Sequence, residues 1–90
     1  MKIGEFYDEI GIEKFTDIKS IRYDDNNGSS CFCEDLLRVG IEIMNDEAII
    51  INGICKFIGA FNFNKYKTYR DEKGVIFEDN KNRYIEVYFK

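Results

Sequence analysis

The chain has 90 residues, of which 44% are hydrophobic and 16% aromatic, and this composition fits one small globular domain spanning residues 1–90. It contains no His, which excludes Ser-His and Cys-His catalytic pairs, and no stretch approaches the ~20 apolar residues of a membrane-spanning helix. Its net charge of −4 argues against general nucleic-acid binding, because neutralising phosphates requires clustered Lys and Arg.

Four apolar residues near the N-terminus recur at the i, i+3, i+4 and i+7 spacing of one helix face. They are Ile3, Phe6, Tyr7 and Ile10. This spacing predicts a helix over 2–10, which Gly11 would end because glycine favours the left-handed conformation found after helices.

A β-hairpin is predicted next. Residues 18–23 and 31–36 carry strand-forming side chains, and residues 24–30 between them are rich in Asp, Asn, Gly and Ser. Asn27-Gly28 is a favoured pair in hairpin turns.

The middle of the chain predicts two further strands and one ambiguous element. Val39, Ile41 and Ile43 alternate with other residues, as on a half-buried strand, and residues 48–52 read as a continuous apolar strand in the centre of a sheet. Residues 54–61 show helical spacing of apolar side chains, which predicts a helix, with a strand as the alternative.

The last third predicts a loop, a strand over 66–70 and a hairpin. Residues 75–78 and 83–89 lie on either side of a polar turn at 79–82. Val75 and Phe77 would share one face of the first strand, and Ile85, Val87 and Phe89 alternate with Tyr and Glu in the second. Together these patterns predict an α+β fold. We expect an antiparallel sheet of about four to six strands with one or two short helices on one face.

The three cysteines, Cys31, Cys33 and Cys55, match no disulfide framework and no structural zinc pattern, which favours C-x₂₋₄-C pairs. We therefore predict no metal and no cofactor, and interpret the cysteines as small buried apolar residues. Reduced thiols and the lack of an apolar leader segment predict a cytoplasmic protein.

Charge is distributed unevenly along the chain. Residues 1–50 hold twelve acidic against five basic residues, a net of −7, whereas residues 51–90 hold five against eight, a net of +3. Acidic pairs in predicted turns and exposed tyrosines would suit a partner with a cationic surface. The candidate partner-binding residues are Asp24, Asp25, Glu34, Asp35, Asp46, Glu47, Tyr66 and Tyr69.

In overall profile the chain resembles small phage-encoded inhibitors of bacterial defence, including anti-CRISPR proteins. The features that carry this resemblance are the acidic pairs just named, beside Phe57, Phe61, Tyr66 and Tyr69, in one small domain without catalytic residues. The resemblance implies stoichiometric binding to a cationic groove of a nucleic-acid-handling enzyme, in which the protein acts as a nucleic-acid mimic.

The leading hypothesis is therefore a non-enzymatic acidic binding protein that inhibits or regulates a larger partner. One alternative is an antitoxin or immunity protein for a cognate toxin. Another is a small single-stranded nucleic-acid-binding module that uses the basic C-terminal half, where lysines and arginines alternate with tyrosines. An exposed edge strand such as 83–89 could also pair two copies of the chain.

Overall fold

One helix and eight strands are formed by residues 1–11, 18–34 and 39–90, which are the residues that the computed structural model describes. The elements, in chain order, are α1 (Ile3–Ile10), β1 (Ile18–Asp24), β2 (Ser30–Glu34), β3 (Gly40–Met44), β4 (Ala48–Asn52), β5 (Lys56–Ala60), β6 (Tyr66–Arg70), β7 (Gly74–Asp79) and β8 (Tyr84–Phe89). No helix in these ranges combines the length and the apolar content needed to cross a membrane.

The strands form two antiparallel sheets. A five-stranded sheet has the order β2-β1-β8-β7-β6, and a three-stranded sheet has the order β3-β4-β5. The predicted α+β class is confirmed, with eight strands rather than four to six. The continuous apolar strand at 48–52 is the central strand of the smaller sheet, as its sequence predicted.

The core lies on the inner face of the five-stranded sheet. Near β7 this face is covered by the helix, where the Phe6 ring stacks on the Phe77 ring at 5.0 Å between centroids. Near β1 it is covered by the three-stranded sheet, where the Tyr23 ring meets Phe57 at 5.4 Å. All these rings except Phe57 are fully or almost fully buried. The two layers therefore cover different halves of one sheet.

Helix α1 ends as its sequence predicted. Gly11 adopts a left-handed backbone conformation, with φ of 84°, and its N–H donates to the Tyr7 carbonyl at 2.9 Å. The Arg70 guanidinium, on strand β6, donates to the carbonyl of Glu9 at 3.1 Å and also to that of Ile10. A cation at this end of a helix interacts favourably with its dipole, so Arg70 fastens the helix to the sheet edge.

The helix predicted over 54–61 is wrong, because residues 56–60 form strand β5. The register pairs Ile50 with Ile58 and Ala48 with Ala60. Two of the side chains that suggested a helical face point to solvent, since Ile54 and Ile58 are both exposed. Gly59 then lies directly against the Tyr23 ring, whose hydroxyl donates to the Ala60 carbonyl at 2.6 Å. Pairing with β4 and contact with Tyr23 thus outweigh the local periodicity.

One other expectation about the strands is wrong. Residues 83–89 were expected to offer an exposed edge, but β8 is hydrogen-bonded to β1 on one side and to β7 on the other. This strand therefore has no free edge for a second copy of the chain. The strand predicted over 31–36 is β2, and its last two residues lie outside the described part of the chain.

Candidate protein-binding face

The register of the five-stranded sheet places polar and aromatic side chains together on its outer face. Residues directly opposite each other on neighbouring strands share a face. Arg22 pairs with Phe32 on one side and with Glu86 on the other, and Glu86 pairs in turn with Ile76. We call this surface the outer tyrosine face. Its members are Arg22, Asp24, Phe32, Glu34, Lys67, Tyr69, Ile76, Glu78, Tyr84, Glu86 and Tyr88.

Glu78 lies between two tyrosines on this face. The Tyr84 hydroxyl donates to Glu78 Oε2 at 2.7 Å, and the Tyr69 hydroxyl donates to Glu78 Oε1 at 3.0 Å. Each carboxylate oxygen therefore accepts one tyrosine hydrogen bond and keeps a lone pair for another donor, and each ring is held by its hydroxyl as well as by its strand. The two rings come from β6 and β8, on either side of β7.

Glu86 forms a second cluster of the same kind. Its Oε1 accepts a hydrogen bond from the Tyr88 hydroxyl at 2.6 Å, and its Oε2 accepts one from the Arg22 guanidinium at 2.5 Å. Arg22 also donates to Asp24 Oδ2 at 3.0 Å. The guanidinium thus links two carboxylates, one on β8 and one at the end of β1.

These hydrogen bonds fix the protonation states of the face. The hydrogen bonds from Tyr84 and then Tyr69 lower the pKa of Glu78 below its ordinary value, so this carboxylate is ionised at neutral pH. The hydrogen bond to Glu78 raises the pKa of both Tyr69 and Tyr84. The hydrogen bond to Glu86 does the same for the pKa of Tyr88. All three phenols therefore remain protonated donors at neutral pH.

The outer tyrosine face is acidic and carries exposed rings. Four of its members are carboxylates (Asp24, Glu34, Glu78, Glu86) and two are cations (Arg22, Lys67), a net of −2. Phe32 exposes 56% of its surface and Tyr69 exposes 50%. Tyrosine is enriched at protein interfaces because it offers a large rigid ring with a polar end.

Three of the eight residues predicted from sequence to bind a partner lie on this face. Asp24 and Glu34 stand at opposite ends of the β1–β2 hairpin, since Asp24 pairs with Ser30 and Glu34 with Ser20. Tyr69 lies on β6, at the far edge of the sheet. The structure thus brings them to one surface without placing them in contact.

Three more of the predicted residues lie away from this face. Asp25 holds its own turn, because its carboxylate accepts the N–H of Asn27 at 2.8 Å and of Ser29 at 2.9 Å. Asp46 and Glu47 belong to the β3–β4 turn, in the smaller sheet, where Asp46 pairs with the N-terminal ammonium of Met1. Asp35 lies outside the described residues.

Tyr66 faces inward rather than toward a partner. Its ring contacts Phe77 at 5.6 Å and Phe61 at 6.4 Å between centroids, and burial raises the pKa of its hydroxyl. Tyr66 and Tyr69 are three residues apart on one strand, and side chains at an odd spacing point to opposite faces. The two tyrosines therefore cannot serve one surface.

Sequence reasoning missed most of the outer tyrosine face. The missed residues that form hydrogen bonds there are Arg22, Glu78, Tyr84, Glu86 and Tyr88. Part of the signal was visible, because strand 83–89 alternates a buried apolar set with an outward set of Tyr, Glu and Tyr. The pairing of β1 with β8, which places Arg22 beside Glu86, joins residues 64 positions apart and has no local signature.

The cysteines also differ from the expectation of three buried residues. Cys31 and Cys33 are half-buried on β2, and Cys55 is exposed in the β4–β5 turn. All three are free thiols.

Comparison of the chain with protein-family models, with curated proteins and with solved structures gives no match.

Proposed function

We propose that this protein is a non-enzymatic binding protein that inhibits or regulates a larger partner through the outer tyrosine face. The observation that carries the proposal is the pair of hydrogen-bonded clusters on adjacent strands, one of Glu78 with two tyrosines and one of Glu86 with Tyr88 and Arg22. These clusters order exposed side chains before any partner binds. Binding then costs less side-chain entropy.

The charge of the face favours a cationic partner. An ionised carboxylate flanked by aromatic rings, as at Glu78, can accept a guanidinium or ammonium group while the rings contact its flat side or its methylenes. Arginine is the residue best suited to both interactions. We therefore propose that the partner contributes arginine or lysine side chains to the interface.

The class of partner follows from the resemblance to inhibitors of bacterial defence, which predicts a nucleic-acid-handling protein. Such a protein must hold a cationic surface for phosphates, and an acidic face can occupy that surface in their place. We also propose a cytoplasmic location, because three free thiols fit a reducing compartment.

The proposal is tested with two variants that change the net charge by the same amount, one at the centre of the face and one outside it. The test variant is Tyr69→Ala with Glu78→Lys, and the matched control is Glu72→Lys, an exposed residue in the β6–β7 turn. All three proteins are titrated with an arginine-rich peptide by calorimetry and used to capture proteins from a bacterial lysate. We expect the test variant to lose about 2 kcal/mol of binding free energy, or ~30-fold in affinity.

A partner captured by the wild type and by Glu72→Lys, but not by the test variant, would support the face as the binding surface. Equal losses in the control and the test variant would reduce the effect to net charge. That result would contradict the proposal.

A second candidate function has one observation in its favour. This function is binding of single-stranded nucleic acid, whose bases stack on exposed aromatic side chains such as Phe32 and Tyr69. The four carboxylates of the face oppose it, because they repel phosphates. Binding of single-stranded RNA that falls steeply with salt and is lost in Tyr69→Ala would favour this second function.

A further inference from the structure

Two cysteines of one strand and a third from a distant part of the chain line one groove. Cys31 and Cys33 lie on strand β2, and Cys55 lies in the turn between β4 and β5, across the groove. The groove encloses about 470 Å³ and is otherwise lined largely by apolar residues such as Val39 and Phe57. Nothing in the proposed binding function uses these thiols, so their arrangement requires its own explanation.

The two cysteines of β2 are held side by side. Residues i and i+2 of a strand point to the same face, and the register fixes β2 by pairing Cys31 with Tyr23 and Cys33 with Ile21. Their sulfur atoms are 3.9 Å apart. The strand therefore presents a preformed pair of thiols at the groove.

This geometry opposes a disulfide between the two cysteines. On a strand, residues two apart are separated by about 6.6 Å, and their parallel Cβ atoms are separated by a similar distance. A disulfide requires Cβ atoms roughly 3.8 Å apart. Closing the bond would require β2 to leave its pairing with β1, so the paired strand opposes a disulfide between these two cysteines.

The same geometry suits a bridging metal ion. When two sulfur atoms bind the same tetrahedral ion, each at about 2.3 Å, the sulfur atoms lie roughly 3.8 Å apart. The observed separation of 3.9 Å is close to that value. We propose that Cys31 and Cys33 form a two-thiolate chelate for a thiophilic divalent ion such as Zn²⁺ or Cd²⁺. Metal binding is a function separate from partner binding by the outer tyrosine face, although Phe32 and Glu34 border both surfaces.

The chelate has two protein ligands, and external ligands complete the coordination. Among residues 1–11, 18–34 and 39–90, no group of three Cys, Asp or Glu side chains is arranged to hold an ion. Cys55 lines the groove without belonging to the chelate. The open groove leaves the remaining positions of the ion to water or to a small external thiol.

Binding must release protons. The thiolate is the form of cysteine that binds metal, whereas an ordinary thiol, with a pKa near 8.5, is mostly protonated at neutral pH. The ion displaces one proton from each thiol, giving one bound ion and two released protons. Affinity is therefore expected to rise with pH.

The probe is Cd²⁺, titrated into the reduced protein and followed by the ultraviolet charge-transfer absorption of thiolate–cadmium bonds. We expect one ion per chain. Cys31→Ser and Cys33→Ser should each weaken binding by ~100-fold or more, because either change converts a chelate into a single-point contact. Cys55→Ser is the matched control, a thiol lost from the same groove, and should leave both the affinity and the absorption unchanged.

A second measurement uses the wild-type chain alone and so does not depend on the folding of any variant. Iodoacetamide labelling with and without Cd²⁺, mapped by mass spectrometry, should show protection of Cys31 and Cys33 and continued labelling of Cys55. Equal protection of all three thiols, absence of a charge-transfer band, or a loss in Cys55→Ser as large as in Cys33→Ser would overturn the proposal.

Discussion

Substituting Asp79 tests how much one buried, ionised carboxylate, at the end of β7, contributes to the stability of the fold. The side chain has no exposed surface, yet it accepts four hydrogen bonds. Three come from backbone N–H groups, those of Asn62 at 2.9 Å, Lys81 at 3.0 Å and Arg83 at 2.9 Å. The fourth comes from the Arg83 guanidinium at 2.7 Å. One carboxylate thus joins the β7–β8 turn to the loop before β6.

The magnitude of its contribution follows from these contacts. Replacing Asp79 by Asn keeps one acceptor oxygen but removes the oxygen that serves Asn62 and the guanidinium. Losing two hydrogen bonds to a charged group should reduce the free energy of unfolding by about 3 kcal/mol. Asp79→Ala leaves the Arg83 charge without its partner and should cost roughly 3–5 kcal/mol. A 90-residue domain has about 5–13 kcal/mol in total, so the Asn variant should remain folded.

The pH dependence has a defined sign. Burial acts to raise the pKa of Asp79, but the hydrogen bonds from Asn62, Arg83 and Lys81 outweigh burial, and the pKa is lowered. A carboxylate with a lowered pKa stabilises the fold above its unfolded pKa, near 3.9, and this stabilisation is lost as pH falls through the lower folded value. The gap between wild type and Asp79→Asn should therefore be constant from about pH 5 to 8 and shrink in more acidic solution.

Urea denaturation followed by far-UV circular dichroism, at several pH values, measures both quantities. If the free energies of unfolding of Asp79→Asn and wild type differ by less than about 0.5 kcal/mol at pH 7, the buried carboxylate does not stabilise this turn as argued. A gap that persists undiminished at acidic pH would contradict the ionised state.

Two further substitutions test other contacts by the same assay. Gly59→Ala places a Cβ 2.7 Å from the Tyr23 ring and should lower the free energy of unfolding by about 1–3 kcal/mol. Gly4→Ala, in helix α1, would place a Cβ with nothing within 4 Å and should raise the free energy of unfolding by roughly 0.5–1 kcal/mol. A change of the same sign in both variants would refute the packing argument. Arg70→Met keeps the apolar part of the side chain but removes the donors to the Glu9 and Ile10 carbonyls, so it should lower the free energy of unfolding by about 1–2 kcal/mol. An unchanged midpoint of urea denaturation would show that the helix end does not need this cation.

Local patterns predicted the elements whose side-chain periodicity matches their final environment. Helix α1 and the β7–β8 hairpin are examples, because each forms between residues close in sequence and buries one regular face. The β1–β2 turn is another, since its turn-forming residues are adjacent in the chain. Residues 54–61 failed for the opposite reason. Their helical spacing included Ile54 and Ile58, which face solvent, while the residue that decides the outcome is Gly59, placed against a ring from a distant strand.

The candidate site divides in the same way. The acidic pairs were visible in the sequence, but their positions depend on which strands become neighbours. Asp24, Glu34 and Tyr69 reach one face because β1, β8 and β7 lie between the two edge strands β2 and β6. Asp46 and Glu47 lie in a turn of the three-stranded sheet, away from this face. The centre of the face is formed by the tyrosines and glutamates of β7 and β8 instead.

The sequence by itself determined the class of the fold, the absence of histidine chemistry, the antiparallel character of the strands and the turns of the β1–β2 and β7–β8 hairpins. These properties depend on composition and on contacts between near neighbours, which periodicity and turn residues encode. Only the tertiary structure decided that the strands divide into two sheets, that β8 is central and that Arg22 meets Glu86. Those outcomes depend on long-range strand pairing, whose free energy comes from side chains far apart in the chain, so no local pattern could have specified them.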